Sequence, residues 1–229
     1  HYEVRDEANR PINPRVAGIA WPDNTPPVIR KVVVVPGNPD STVNGDIVPL
    51  VFEAQAVAPR LYRCEPVKAS QQIGFGADVF DPANNGESRL GIYSLRTLAG
   101  EKETFRVQHD RLSYEVIHHG SVMWHPFLLG RGTFLLQWRW PDNGLESVQG
   151  HESDGWFLMP GEPVVIRLEA EDFLGNKSAV EVPLVPEQSP TFSNPVRSGS
   201  GMGKVDVDCF GTWLLVTAMF PSSQAELSL

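Results

Sequence analysis

Helical signals are nearly missing from this chain of 229 residues, and so are cysteine pairs, an excess of basic charge and long apolar runs. Each absence removes a class of function. Cys64 and Cys209, the only two cysteines, belong to no CxxC or Cys/His spacing, which excludes a thiolate zinc cluster. One disulfide or two free thiols both fit that count. With 19 Lys and Arg against 28 Asp and Glu, a net charge of -9 and a pI of about 5.1, the chain lacks the positive footprint that nucleic acid or an anionic lipid surface requires. Nucleic acid is therefore not an expected partner. No stretch approaches the roughly 20 apolar residues of a membrane-spanning helix, and no charged-then-apolar leader is present. GxSxG, GxGxxG, P-loop and HExxH motifs are all absent, so no complete catalytic signature stands in the sequence.

What is present is a succession of strands. The hydrophobic share of 41%, with 20 Gly and 20 Pro, is that of a globular chain and not of a disordered one. IRKVVVVPG (Ile29 to Gly37) is a β-branched run closed by Pro-Gly, and DIVPLVFEAQAV (Asp46 to Val57) follows a turn-rich connector. QQIGFGADVFD, RLGIYSLRTLAG, KETFRVQHD, LSYEVIHH, GTFLLQWRWPD, GWFLMPG, PVVIRLEAED and SAVEVPLVPE continue the series. In PVVIRLEAED, Val165, Arg167, Glu169 and Glu171 alternate with Ile166, Leu168 and Ala170, the period of a strand with one wet face. The spacing predicts an all-β fold of antiparallel, immunoglobulin-like β-sandwiches, two in number. The expected boundaries are a leading segment 1–24, a sandwich over 25–120, a second sandwich or a continuation of the first over 121–186, and a Ser/Pro/Gly-rich linker with a terminal strand over 187–229. That last strand, KVDVDCFGTWLLVTAMF, is expected to pair with an earlier sheet edge.

Three sets of residues carry chemical possibilities. Two stretches, IGFGADVFDPANNGESRLGIYSLRTL and VVIRLEAEDFLGNKSAVEVPLVP, run strand, Asp-bearing turn, Gly/Asn, Ser, strand. Asp78, Asp81, Asn84 and Asn85 in the first, with Asp172 and Asn176 in the second, could offer oxygens to calcium; such residues also favour turns by bonding the local backbone. Of six histidines, His109, His118, His119 and His125 cluster within 109–125, while His1 and His151 lie outside. A zinc site there would need three ligands and a nearby carboxylate such as Glu115 or Asp110. If LSYEVIHH is a strand, His118 and His119 point to opposite faces and only one of them can join an ion. Trp138 and Trp140, two apart in QWRWPDN and flanked in sequence by Trp124 and Trp156, either stack sugars on an open face or fill the sandwich core.

The first residues add a resemblance. HYEVRD (His1 to Asp6) followed by RPINP (Arg10 to Pro14) resembles the closing strand of the lysostaphin-type zinc endopeptidases, which reads roughly H-x-H-[FY]-E-[VI]-R with N-P shortly after. DVFDPANNGESRLGIYSL, HPFLLGRGTF and AEDFLGNKS likewise resemble the β-rich region that follows the peptidase domain in some bacterial envelope proteins of this type, over residues 25 to 185. The resemblance implies that His1 corresponds to a zinc ligand of the intact domain. The partner histidine of H-x-H and the H-x-x-x-D motif have no counterpart in residues 1–229. One imidazole cannot hold catalytic zinc, which takes about three protein ligands and a water.

The expectation is thus a fragment of a larger protein: a non-catalytic accessory region of a cell-wall metallopeptidase, inactive alone, located in the periplasm or outside the cell. It holds no cofactor itself, zinc belonging to the parent domain. Its expected partners are the missing peptidase domain, peptidoglycan or envelope glycans, and a second copy paired through the strand edge of residues 1–24. A carbohydrate-binding or adhesion module using Trp138 and Trp140, and a small metal-binding protein using the His109–His125 region, are the alternatives.

Overall fold

Four consecutive valines cannot alternate between core and water, so a strand containing them must be covered on both faces. That is their situation in the computed structural model, which describes residues 3–19, 22–38, 40–82, 84, 89–123, 128, 130–140, 143–145, 147–150, 153–188, 204–210 and 213–219. Val32 and Val34 join one core cluster, and Val33 and Val35 another.

In chain order the strands are β1 (Val28–Pro36), β2 (Thr42–Val43), β3 (Leu50–Glu53), β4 (Gln55–Ala58), β5 (Leu61–Arg63), β6 (Val67–Ser70), β7 (Gln72–Phe80), β8 (Ser94–Ala99) and β9 (Lys102–Gln108). After a 3₁₀ helix (Tyr114–Met123) come β10 (Phe134–Leu136), β11 (Val148–Gly150), β12 (Phe157–Leu158), β13 (Val164–Glu171), β14 (Lys177–Pro186), β15 (Lys204–Phe210) and β16 (Trp213–Met219). The fold is all-β, as the strand spacing predicts.

Residues 1–189 and 190–229 form two compact units. In the first, a five-stranded sheet runs β10-β7-β1-β3, with β12 also against β7. A nine-stranded sheet runs β11-β9-β8-β13-β14-β5-β4, with β6 on β14 and β2 on β6. Pairing is antiparallel except where β14 meets β5 and β6. Strands from 25–120 and from 121–186 share both sheets, β10 pairing with β7 and β13 with β8.

The main core lies between the sheets. Ile73, Phe75 and Ala77 of β7 meet Leu95, Phe105, Ile166, Leu168, Val180 and Val182 of the larger sheet, all essentially without solvent contact. Buried Gln137 accepts a hydrogen bond from the Thr97 hydroxyl at 3.2 Å, tying the end of β10 to β8. On the other face of β7 a smaller cluster gathers Val33, Val35, Phe134, Leu136 and Trp138.

Three local expectations are corrected. LSYEVIHH does not form a strand; from Tyr114 it turns into the 3₁₀ helix, opened by a hydrogen bond from Val116 N–H to the Ser113 carbonyl at 3.3 Å. Among the described residues of GTFLLQWRWPD, only Phe134–Leu136 is strand. Past it, Arg139 N–H turns to the Asp154 carbonyl at 2.8 Å, and the chain leaves the sheet where Gly155, at φ +88°, packs against Gln137 and Trp138. In the second unit, β15 pairs with β16 as a hairpin of its own from Lys204↔Met219 to Phe210↔Trp213.

Candidate metal centre

Strand period dictates an unexpected placement of carboxylates. On β7 the core-facing row is Ile73, Phe75, Ala77 and Val79, and the next position in that row, just past the strand, is Asp81. On β13 the row Ile166, Leu168, Ala170 ends likewise in Asp172. Each sheet thus closes an apolar row with an acid at one end of the core. Asp23, from the connector that leads into β1, completes the group. Carboxylate oxygens of Asp23, Asp81 and Asp172 lie within 4.8 Å of one another, at 6%, 7% and 3% exposure.

The turns that hold these residues are built by short polar contacts. Asp172 closes the β13–β14 turn: Oδ1 accepts the N–H groups of Leu174 (2.8 Å) and Asn176 (2.9 Å), and Oδ2 accepts Asn176 Nδ2 at 2.7 Å. Gly175 supplies the left-handed residue this turn needs, at φ +86°. Asn176 Nδ2 also donates to the Asp23 carbonyl at 3.2 Å, joining this turn to the connector. Asn84 grips the same connector from the β7 side. Its Oδ1 accepts Asn24 N–H at 3.0 Å and the Thr25 hydroxyl at 3.1 Å, and its Nδ2 donates to the Pro22 carbonyl at 2.6 Å. Asp81 exchanges two backbone hydrogen bonds of 2.9 Å with Leu90.

The donor set is oxygen only and formally trianionic. Such sets suit hard cations, calcium before magnesium where loops converge, and not zinc, which favours nitrogen and sulfur.

Of the residues the sequence singles out for calcium, Asp81 and Asp172 come together, with Asn84 and Asn176 as positioning groups. Asp78 is turned away: it stands on the opposite face of β7, where the Arg30 guanidinium binds both its oxygens at 2.8 Å. Asn85 lies outside the described residues. Asp23 has no signal in sequence: a single acid in the connector WPDNTPP shows no periodicity. The two acids that end apolar period-two rows were detectable.

The histidines behave differently. His109 sits beside a cavity of about 440 Å³ lined by Pro11, Ile12, Asn13, Leu112 and Met123, and burial pushes its imidazole below the ordinary value, opposed only in part by Asp110. It is therefore neutral near pH 7. His119 Nδ1 accepts the Gly144 N–H at 2.9 Å. Among the described residues neither joins a group of three possible metal donors. His1, His125, His151 and the side chain of His118 lie outside the described residues, as does Trp124.

Trp138 is 2% exposed, its ring 5.1 Å from that of Trp156 and 6.1 Å from that of Trp140. Trp140 and Trp156 are half-buried. A β-carbon on Gly74 would lie 2.7 Å from Trp156 and 2.8 Å from Trp138, so the indoles rest directly on the backbone of β7. Cys64 is a free, buried thiol pushed up to about 12, chiefly by burial and then by Glu53, which leaves no thiolate for chemistry near neutral pH. The side chain of Cys209 lies outside the described residues.

The front segment folds back on itself and onto the sandwich. Ile12 N–H donates to the Val4 carbonyl at 3.0 Å, and Arg10 is held by Asp6. Ile12 bridges to Arg111, while Asn13 N–H donates to the Asp110 carbonyl and Leu112 N–H to the Pro11 carbonyl, both at 2.9 Å. The Tyr114 hydroxyl donates to Glu3 at 3.0 Å, with the Arg5 guanidinium 5.3 Å from the centre of the Tyr114 ring. No helix among the described residues is long and apolar enough to cross a membrane. No family model, curated protein or solved structure matches the chain.

Proposed function

We propose that this chain is a non-catalytic β-sandwich accessory region of a bacterial cell-wall metallopeptidase, working in the cell envelope and inactive when isolated. The observation that carries the reading is the lacing of Glu3–Asn13 onto residues 110–114. The segment that resembles the end of a peptidase domain is held against the sandwich by backbone pairing at Ile12 and Asn13 and by the Glu3–Tyr114 contact. A domain ending at HYEVR would therefore be fixed to the sandwich through the segment Glu3–Asn13, held at both ends, not through a free linker. Positioning, and not bond cleavage, is the role such an attachment supports. Zinc enters this reading through the parent domain, with His1 as one of its ligands by resemblance. The donors grouped among the described residues are carboxylates that close the core rows at one end, a set unlike that of zinc hydrolases.

Two measurements test the proposal. Incubated with zinc and purified murein, the chain is expected to release no soluble fragments, and measurable cleavage would refute the non-catalytic role. The encoding gene is expected to carry H-x-x-x-D upstream, and a further His two residues before His1. A start codon or an unrelated domain there would overturn the assignment.

A further inference from the structure

We infer that Asp23, Asp81 and Asp172 form a binding site for one hard divalent cation, calcium, which fastens the two sheets together at one end of the sandwich. The inference is independent of the peptidase reading.

The first observation is the placement already described. Three carboxylates from segments remote in sequence lie within 4.8 Å of one another, each more than nine-tenths buried. Turn formation accounts for the contacts of Asp172 with Leu174 and Asn176, but not for the convergence of Asp81 and Asp23 upon it. Ionised carboxylates this close and this far from water repel one another unless a positive charge lies among them.

The second observation is Ser178. It is 2% exposed, and its Oγ has no hydrogen-bond partner among the described residues. Ser178 pairs with Ala170 across the β13–β14 hairpin, so its side chain leaves the same core-facing side as Asp172, two positions along. A buried hydroxyl without a partner costs free energy, and a bound cation with its water shell supplies the partner. Calcium takes about 6–8 oxygens at loosely constrained angles; carboxylates from three loops with completing waters meet that demand more readily than the strict octahedron of magnesium.

The cation would join the connector, the β7 turn and the β13–β14 turn, which lie on different sheets. The test uses the whole chain, freed of metal by chelation and dialysis. Calorimetric titration with calcium chloride is expected to show one site per chain with a Kd between about 10⁻⁶ and 10⁻³ M, tighter than for magnesium, and calcium is expected to raise the thermal midpoint. Asp81→Asn and Asp172→Asn, which keep shape and hydrogen-bonding oxygens, are each expected to weaken binding about tenfold or more while retaining the β-type circular dichroism spectrum. Should one variant fail to fold, the other still decides. The absence of both binding heat and thermal shift up to 10 mM calcium, magnesium or manganese would overturn the inference, as would unchanged affinity in either folded variant.

Discussion

Asp78 and Asp81 are three residues apart, and in sequence both belong to the same acidic turn, yet the structure gives them opposite surroundings. Asp78 points to the outer face of β7, where Arg30 neutralises it with two bonds of 2.8 Å and Phe80 lies under the guanidinium. Asp81 points to the core face, beside two further acids. An odd number of residues along a strand exchanges faces, so one turn motif yields an ordinary ion pair on one side and a candidate ion site on the other. The same rule separates Phe75 from Gly74. Phe75 fills the main core, while Gly74 admits the rings of Trp138 and Trp156.

The largest effect expected along β7 comes from its core face. Phe75→Ala removes a fully buried ring and is expected to cost about 3–5 kcal/mol in urea unfolding. Gly74→Ala on the other face forces a methyl into two indole rings and is expected to cost about 1–3 kcal/mol. A neutral Gly74→Ala would mean that the tryptophans do not pack on this strand.

Next in size is the contrast between the two acids. Asp78→Ala strands the Arg30 guanidinium on one side and is expected to cost about 1–3 kcal/mol whether or not calcium is present. Asp81→Asn is expected to remove most of the stability that calcium adds to the unaltered chain. Equal losses for the two variants under both conditions would erase the distinction between the faces.

How much of this is legible in the chain follows from the same geometry. Alternation in PVVIRLEAED places Ile166, Leu168 and Ala170 inside, where they are, and the VVVV run signals a strand covered on both sides. The all-β class follows from such runs. LSYEVIHH also alternates, Leu112, Tyr114 and Val116 against Ser113 and Glu115, yet it turns into a 3₁₀ helix where Leu112 and Tyr114 meet the front segment, so period two alone does not make a strand. Period two also orders the acids, but which rows meet across the core is a property of topology. Asp81 and Asp172 could each be placed on a core face from sequence; their meeting, and the arrival of Asp23, could not. The buried state of Trp138 likewise depends on Gly155 and on β7, both remote from QWRWPDN.

A smaller effect is expected from pH, and it sharpens the contrast between the acids and His109. Burial holds the His109 imidazole below its ordinary value of 6.5. As the pH falls past 6.5 the unfolded chain takes up the proton first, so folding loses stability between that value and the lower folded one. Glu103 acts at more acid pH: Arg106 holds it below 4.5, so its stabilisation is present above 4.5 and lost as pH falls through the folded value. The urea midpoint is expected to drop between pH 7.5 and pH 5.5, and His109→Gln is expected to flatten that slope. An unchanged slope in the variant would place the titrating group elsewhere.

The smallest effect is expected where an acid meets a base in the open. Arg63 and Glu181 face each other on β5 and β14 at 2.5 Å, but the Arg63 side chain is 53% exposed, so water already solvates the guanidinium and salt screens the pair. Arg63→Ala is expected to cost no more than about 1 kcal/mol, and less at 1 M salt. Asp78 with Arg30 is the more buried pair at both groups, the acid 4% and the base 38% exposed against 19% for Glu181 and 53% for Arg63. If a double-mutant cycle on Arg63 and Glu181 gave a coupling as large as one on Arg30 and Asp78, burial of the carboxylate would not be what separates the two pairs. The contrast between the two faces would then lose its physical basis, which is the cost of taking a charge out of water.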